Sequence, residues 1–150
     1  MQRAIDLAVE NVRQGLGGPF GALVVRDGAI VGSGANAVTS ANDPTAHAEI
    51  MAIRAACRTL SSFQLSGCEI YTSCEPCPMC LGAIYWARPA RVYFASTRAD
   101  AAAAGFDDAH IYEELNLNPE NRAIPCAQLL GDQGRKAFRA WRETLDRVPY

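Results

Sequence analysis

His47-Ala48-Glu49 and Pro76-Cys77-Pro78-Met79-Cys80 are the two stretches that decide the fold of this 150-residue chain. Together they supply an imidazole, two thiols and a carboxylate, the donor set of a catalytic zinc centre with three protein ligands. Zinc bound in this way keeps a fourth position for water and lowers the pKa of that water from about 16 to about 7. The two stretches therefore predict one zinc ion per subunit, bound by His47, Cys77 and Cys80.

The spacing of these residues predicts that they lie at the starts of two helices. Cys77 and Cys80 are three positions apart, so their sulfurs share one helix face, where the positive helix end favours thiolates. His47 and Glu49 are two positions apart and would diverge in mid-helix, so both must lie in a first turn. We expect Glu49 to leave the metal free and to serve as general base and then as general acid.

A closed structural zinc site, with Cys74 as the fourth ligand, is the alternative interpretation of the cluster. Structural sites with three cysteines and one histidine rarely have a carboxylate beside the histidine, so Glu49 favours the catalytic interpretation. The remaining cysteines lack metal-ligand spacing and are predicted to be reduced packing residues: Cys57, Cys68 and Cys126.

Length and charge narrow the class of protein. By its length, the chain is expected to form one domain over residues 1–150. Its 16 acidic and 14 basic side chains give a formal charge of -2, which disfavours nucleic acid as a partner. No stretch resembles a signal peptide or a membrane span, and the cysteines suit a reducing compartment. We therefore expect a cytoplasmic protein that does not bind membranes.

Hydrophobic periodicity predicts alternating helices and strands, and hence the α/β class. Helices are expected over residues 1–16, from 43 to 60 with Asp43 as N-cap and Pro44 at the first helical position, over 78–88, over 99–104 and around 138–145. Strands are expected over residues 20–25 and 29–33, joined by an Asp27-Gly28 turn, and over 69–72, 91–95 and 123–130. Pro125 would place the last of these at an edge or a bulge.

Three longer stretches resemble the cytidine and deoxycytidylate deaminase superfamily and, within it, the bacterial guanine deaminases. They are residues 42–49, 71–87 and 104–108. The resemblance implies a cytidine-deaminase-like three-layer α/β/α fold with a five-stranded mixed sheet. It also implies a homodimer in which the C-terminal segment is domain-swapped and caps the pocket of the partner. The implied reaction is the hydrolytic deamination of guanine, a small purine base, to xanthine and ammonia in purine catabolism.

The resemblance also assigns residues of a purine pocket. It implies stacking by Phe20 and Phe106, polar contacts from Asn36 and Asp108, and a contact from the Ala48 backbone. The other implied residues are Trp86 near the metal, Tyr150 from the other subunit, and Glu113 or Glu114 as a second proton carrier. A carboxylate such as Asp108 suits guanine, because guanine presents a ring N–H and an amine on one edge, and both are donors.

Two other functions remain open at this point. The first is the same chemistry on adenosine in tRNA, with five basic side chains near the C-terminus facing the RNA: Arg135, Lys136, Arg139, Arg142 and Arg147. A charge run on a terminal helix is more often a solvated face, and the net charge of the chain is acidic. The second is a zinc-stabilised interaction domain without catalysis, in which replacement of Glu49 would change no measurable property.

Overall fold

One mixed sheet organises the first two thirds of the chain. It has four strands, which are β1 (Gly21–Arg26), β2 (Ala29–Ala35), β3 (Glu69–Cys74) and β4 (Arg91–Ser96). The strand order is β2-β1-β3-β4. Strand β1 pairs antiparallel with β2 and β3, whereas β3 and β4 are parallel. The predicted α/β class and the mixed sheet are confirmed.

The computed structural model describes all residues from Met1 to Tyr150 and separates them into two compact units, Met1–Asp108 and Ala109–Tyr150. The first unit contains the sheet and the helices α1 (Gln2–Arg13), α2 (Val38–Ala41), α3 (Ala48–Leu60), α4 (Pro78–Ala87) and α5 (Arg98–Ala103). The second unit contains α6 (Ala109–Leu115), a 3-10 turn (Pro119–Asn121) and α7 (Gly131–Glu143). None of the helices combines the length and the apolar character needed to span a lipid bilayer. One domain over the whole chain stays a prediction.

Helices cover both faces of the sheet. Gly21 of β1 faces α1, since a Cβ there would lie 2.4 Å from the carbonyl oxygen of Ala4. The next residue, Ala22, points to the opposite face and belongs, with Val24, to a buried cluster that includes residues of α3 and α4. The helices therefore lie in two layers around the sheet, as a three-layer arrangement requires.

The close packing of β2 on α3 determines where the start of α3 lies. A Cβ on Gly34 would lie 2.4 Å from the carbonyl oxygen of Ala48, the first residue of α3, so no larger residue fits there. The β1–β2 hairpin that carries Gly34 forms where the sequence predicts it. Its turn residues Asp27 and Gly28 have φ angles of 50° and 78°, which suits a two-residue hairpin. Hairpin and helix together place Ala48, and with it the start of α3, beside the last residues of β2.

The predicted fifth strand is wrong. Residues 123–130 form no strand, and the sheet has four strands instead of five. Pro125 has no N–H for a ladder, and the apolar side chains Ile124 and Leu129 are 82% and 83% exposed. The segment therefore has neither ladder hydrogen bonds nor a buried face. Cys126, which lies within it, is exposed, so its predicted packing role is wrong, whereas Cys68 is buried and Cys57 half-buried.

Several helix boundaries also differ from the predictions. Helix α3 begins at Ala48, because the Asp43 carboxylate accepts hydrogen bonds from the N–H and the hydroxyl of Thr45 and forms a turn of its own. The prediction of Asp43 as N-cap, with Pro44 at the first helical position, is therefore wrong. Helix α1 ends at Arg13, since Gly15 has a φ of 67° and breaks the helix. The short helices α2 and α6 and the 3-10 turn were not predicted, because so few residues show no clear periodicity.

Candidate metal centre and active site

Two helix starts bring the predicted metal ligands together. His47 immediately precedes α3, and Cys77 immediately precedes α4, whose first residue is Pro78. Proline suits this position because its fixed φ is helical and its missing N–H has no partner there. Both residues before the helices have extended backbone, which turns the chain sharply into each helix. Glu49 lies in the first turn of α3, so the predicted placement of His47 and Glu49 at a helix start is confirmed.

The distances between the three ligand atoms fit zinc. The Nδ1 atom of His47 lies 3.5 Å from the Sγ of Cys77 and 3.5 Å from the Sγ of Cys80. A tetrahedral zinc ion with its usual bond lengths separates a nitrogen ligand from a sulfur ligand by about 3.6 Å. All three atoms lie within 4.8 Å of one another. His47, Cys77 and Cys80 therefore form the candidate zinc site.

The two thiols of this site share a proton unequally. Hydrogen bonds from Cys80 and then from His47 outweigh burial and lower the pKa of Cys77 to about 4. The pKa of Cys80 is raised, first by its hydrogen bond to Cys77 and then by burial. The hydrogen bond to Cys77 likewise raises the pKa of His47. A divalent cation would replace the shared proton and bind both sulfurs as thiolates.

Glu49 lies beside the metal ligands with only 6% of its surface exposed. Its carboxylate accepts hydrogen bonds from the Thr72 hydroxyl and from the Cys80 thiol, each at 3.4 Å. Burial raises its pKa, so Glu49 holds a proton more readily than an exposed glutamate does. Its oxygens are not part of the group of three ligands. This position suits a proton carrier, and the catalytic role of Glu49 stays a prediction.

Cys74 is not one of the three grouped ligands, although it lines the same cavity as His47 and Cys77. Its thiol is buried and donates to the carbonyl oxygen of Thr97 at 3.5 Å. The sulfur does not belong to the group of ligand atoms. The alternative of a closed site with Cys74 as fourth ligand therefore has no support from the geometry.

A cavity of about 360 Å³ opens in front of Glu49 and the metal ligands. It is lined by four of the residues expected to bind the base: Phe20, Asn36, Phe106 and Asp108. The rings of Phe20 and Phe106 meet edge to face, with centroids 5.0 Å apart and planes at 87°. Two rings at this angle cannot hold a flat base between parallel faces, so only one of them would stack on it face to face.

Two polar side chains give the cavity its hydrogen-bonding character. The carboxamide oxygen of Asn36 accepts hydrogen bonds from the N–H groups of Gly18 at 3.1 Å and Val38 at 3.3 Å. Because two donors hold the oxygen, the amino group of Asn36 is left to face the cavity. Asp108 is half-buried, and burial followed by the negative charge of Cys77 raises its pKa. The cavity thus combines a donor from Asn36 with the carboxyl group of Asp108.

Two predicted site residues of the first unit, Ala48 and Trp86, do not line this cavity. Ala48 is fully buried at the start of α3, and Trp86 on α4 is 64% exposed. Within the second unit, Tyr150 is 71% exposed. Glu113 is exposed, and the carboxylate of Glu114 accepts the N–H of Ala123 at 2.7 Å. Their roles stay predictions.

Sequence reasoning missed two buried polar residues near the site. Thr72 lies two positions after Ile70 on the same buried face of β3, and Asn11 follows Ala4 and Ala8 on the buried face of α1. A polar residue in a buried position of a periodic pattern was the signal available for both. Thr72 contacts Glu49. The reasoning also missed Arg98, which lines the cavity.

Comparison with known proteins places these features in a family. The model of the cytidine and deoxycytidylate deaminase zinc-binding region matches residues 1–96. Guanine deaminase from Bacillus subtilis (strain 168) is 54% identical over 150 residues, which make up 100% of this chain and 96% of that protein. An X-ray structure of guanine deaminase from Bacillus subtilis matches with a TM-score of 0.97, over 99% of this chain and 95% of the other.

More distant relatives include proteins that act on different substrates. A structure of guanine deaminase from Nitrosomonas europaea matches with a TM-score of 0.68 and 30% identity, over 95% of this chain and 82% of the other. A tRNA-specific adenosine deaminase from Haemophilus influenzae is 35% identical over 137 residues, which are 87% of this chain and 78% of that protein. The 54% identity with the guanine deaminase of B. subtilis is well above both values.

Proposed function

Because the chain belongs to the cytidine and deoxycytidylate deaminase family, we propose that it hydrolyses guanine to xanthine and ammonia. The observation that carries the proposal is the 54% identity with B. subtilis guanine deaminase, which extends over the entire chain. The metal ligands, Glu49 and the cavity in front of them provide the groups that such a reaction needs. Adenosine in tRNA is the weaker candidate, because the tRNA-specific relatives match at 35% identity over 87% of this chain or at 45% over only about half of it.

The residues at the start of α3 and α4 suit zinc as the cofactor. Two thiolates and one neutral imidazole offset the charge of the ion, and their spacing agrees with tetrahedral geometry. When bound by His47, Cys77 and Cys80, zinc would supply Lewis-acid activation of a water molecule. The two helix N-termini favour the thiolate forms of both cysteines.

Glu49 is proposed to move the protons of the reaction. It takes a proton from the attacking water, whose oxygen forms a bond to C2 of guanine, and gives that proton to a ring nitrogen. It then takes the second proton and passes it to the exocyclic nitrogen, so that the C2–N bond breaks and ammonia leaves with the electron pair. Its raised pKa suits both steps, because the group must accept and release protons near neutral pH.

Asn36 and Asp108 are proposed to orient the base. The carboxylate of Asp108 would accept hydrogen bonds from N–H groups of guanine, and the amino group of Asn36 would donate to a ring acceptor such as N7 or O6. Phe20 or Phe106 would stack on the ring face. Adenine and cytosine lack the ring N–H that guanine presents beside its exocyclic amine, so either base would leave Asp108 without one of its partners.

A homodimer with swapped C-terminal segments is part of the proposal. Helix α7 presents Phe138 and Trp141, which are 70% and 43% exposed, and the outer edge of β4 has no strand partner. A second copy of the chain would bury such surfaces and bring its Tyr150 to the pocket. We also propose that the protein acts in the cytoplasm, in purine catabolism, without nucleic acid or membrane partners. Its six free cysteines suit a reducing compartment.

A subunit-mixing experiment tests the swap. Glu49→Gln and Tyr150→Ala variants are each expected to be impaired, since each lacks one part of every active site. In a mixed swapped dimer, one site combines the intact Glu49 of one subunit with the intact Tyr150 of the other. Activity should therefore rise on mixing. Activity equal to the average of the two variants would speak against the swap.

A panel of substrates tests the function. Zinc-loaded protein is incubated with guanine, adenine, cytosine and tRNA, and ammonia release is measured, with the Glu49→Gln variant as control. We expect release from guanine alone, and none with the variant. Ammonia release from tRNA or adenine, with guanine left intact, would show that guanine is not the substrate. It would not contradict the proposed zinc site.

A further inference from the structure

Asn11 is a buried side chain of α1 that does not line the cavity but is linked to it. Only 5% of its surface is exposed. Its amide nitrogen donates to the carbonyl oxygen of Gly18 at 2.8 Å and to the carbonyl oxygen of Asn36 at 2.8 Å. One side chain thus joins the loop before β1 to the residue that follows β2.

A second set of hydrogen bonds joins the same two segments. The Gly18 N–H donates to the carboxamide oxygen of Asn36, and the Asn36 N–H donates to the Phe20 carbonyl oxygen at 3.0 Å. The Val38 N–H also donates to the carboxamide oxygen. The orientation of the Asn36 side chain therefore depends on the position of the Gly18 N–H.

The loop leaves no free space at this point. A Cβ on Gly17 would lie 2.1 Å from the carbonyl oxygen of Asn36, so only glycine fits. The amide of Asn11 reaches both carbonyl oxygens because the two segments run this close together. Without its amide, both oxygens would lose a buried donor, and the loop would move to regain hydrogen bonds.

We infer that Asn11 is a positioning residue for base recognition that acts through Asn36. This inference rests on the proposed function. Asn11 keeps the Gly18 N–H on the carboxamide oxygen of Asn36, so that the amino group of Asn36 faces the cavity as a donor to a purine acceptor. The first turn of α3 and the metal ligands take no part in this set of hydrogen bonds, so the role concerns substrate binding and not proton transfer.

A double-mutant cycle tests the inference. Asn11→Ala should raise the KM for guanine about tenfold, the scale of one lost hydrogen bond, and change kcat less than about threefold. In an Asn36→Ala background, the same substitution should change KM less than about twofold, because the group it acts through is gone. Gln14→Ala is the control, since Gln14 is exposed near the end of the same helix and its side chain donates to Glu10. Equal KM effects in both backgrounds, or an unchanged KM in Asn11→Ala, would overturn the inference.

Amide hydrogen exchange provides a readout that needs no turnover. In the zinc-loaded, ligand-free protein, the amides of Gly18 and Val38 should exchange faster in Asn11→Ala than in the unaltered chain, and at the unaltered rate in Gln14→Ala. Unchanged exchange would overturn the inference even if guanine is the substrate. Absence of guanine turnover by the unaltered chain would instead count against the proposed function. If Asn11→Ala does not fold, Asn11→Ser retains one donor and should give smaller changes in the same directions.

Discussion

The two units of the chain differ in what they bury. The unit Met1–Asp108 has a core between sheet and helices, and it contains the three metal ligands and Glu49. In the unit Ala109–Tyr150, no residue is buried, and Phe138 of α7 is 70% exposed. The first unit therefore forms its metal site from its own packing. The second has an amphipathic helix, α7, whose apolar side chains Phe138 and Trp141 are not buried.

Loss of a metal ligand is expected to have the largest effect on zinc binding and turnover. All three ligands belong to the first unit. Cys80→Ala removes one of two thiolates, so zinc content should fall from one equivalent to nearly none, and turnover should fall with it. Cys74→Ala is the matched control, because this thiol is also buried but donates to Thr97. Metal analysis after gel filtration measures both variants. Retention of zinc by Cys80→Ala would show that Cys80 is not a metal ligand.

Glu49→Gln is expected to have the next largest effect. Turnover should fall about 10³-fold, because the amide cannot accept and release the protons, while zinc content stays at one equivalent. Glu143→Gln, in the second unit, serves as the control, because Glu143 is an exposed glutamate with no assigned role. The assay is ammonia release from guanine beside metal analysis of the same samples. Comparable losses in the two variants would show that the loss is not specific to Glu49.

Substitution of the apolar side of α7 tests the second unit. Phe138→Asp should weaken self-association by about tenfold or more, since it puts a charge where a partner would bury an aromatic ring. Zinc content should be unchanged. Sedimentation over a range of protein concentrations measures the change, with Lys136→Glu as a control at a neighbouring exposed position. A dimer unaffected by Phe138→Asp would mean that the apolar side of α7 is not part of the interface.

The smallest expected effect is the pH-dependent change in Tm that Glu49→Gln causes in the metal-free chain. Burial raises the pKa of Glu49 above its usual value of 4.5, so the folded state holds the proton more tightly than the unfolded state. Stability is therefore lost as the pH rises above 4.5, and the loss grows until the pH passes the raised pKa, above which it stays constant.

In the metal-free chain, Glu49→Gln removes this cost. It should raise Tm by about 2–4 °C at pH 8, the size that about 1 kcal/mol produces at this chain length, and by nothing below pH 4.5. Glu113→Gln should leave Tm unchanged at both pH values. Calorimetry at the two pH values checks the result. A lower Tm for Glu49→Gln at pH 8 would show that the buried carboxylate of Glu49 does not destabilise the metal-free chain.

The sequence predicted the first unit well because its signals are local. Spacing along the chain was enough to put Cys77 and Cys80 on one helix face, and Asp27-Gly28 was enough to predict the hairpin. The start of α3 was misplaced because Asp43 can either cap a helix or close a turn, and the choice depends on the hydrogen bond to Thr45.

The second unit and the hydrogen bonds of Asn11 were harder to predict, because both depend on contacts between residues far apart in the sequence. Residues 123–130 have the composition of a strand, but a strand exists only with a partner, and the chain pairs none with it. Asn11 and Asn36 are 25 positions apart, and their hydrogen bond depends on how α1 packs against the sheet. No local pattern contains that information.

X-ray absorption of the zinc-loaded protein distinguishes an open catalytic zinc site from a closed structural one, because it counts the sulfur atoms bound to the metal. For an open site we expect two sulfurs at about 2.3 Å together with nitrogen or oxygen ligands at about 2.0–2.1 Å. Two sulfurs and one histidine nitrogen leave the fourth position to water. Three sulfurs around the ion would identify Cys74 as a ligand, close the site and contradict the account.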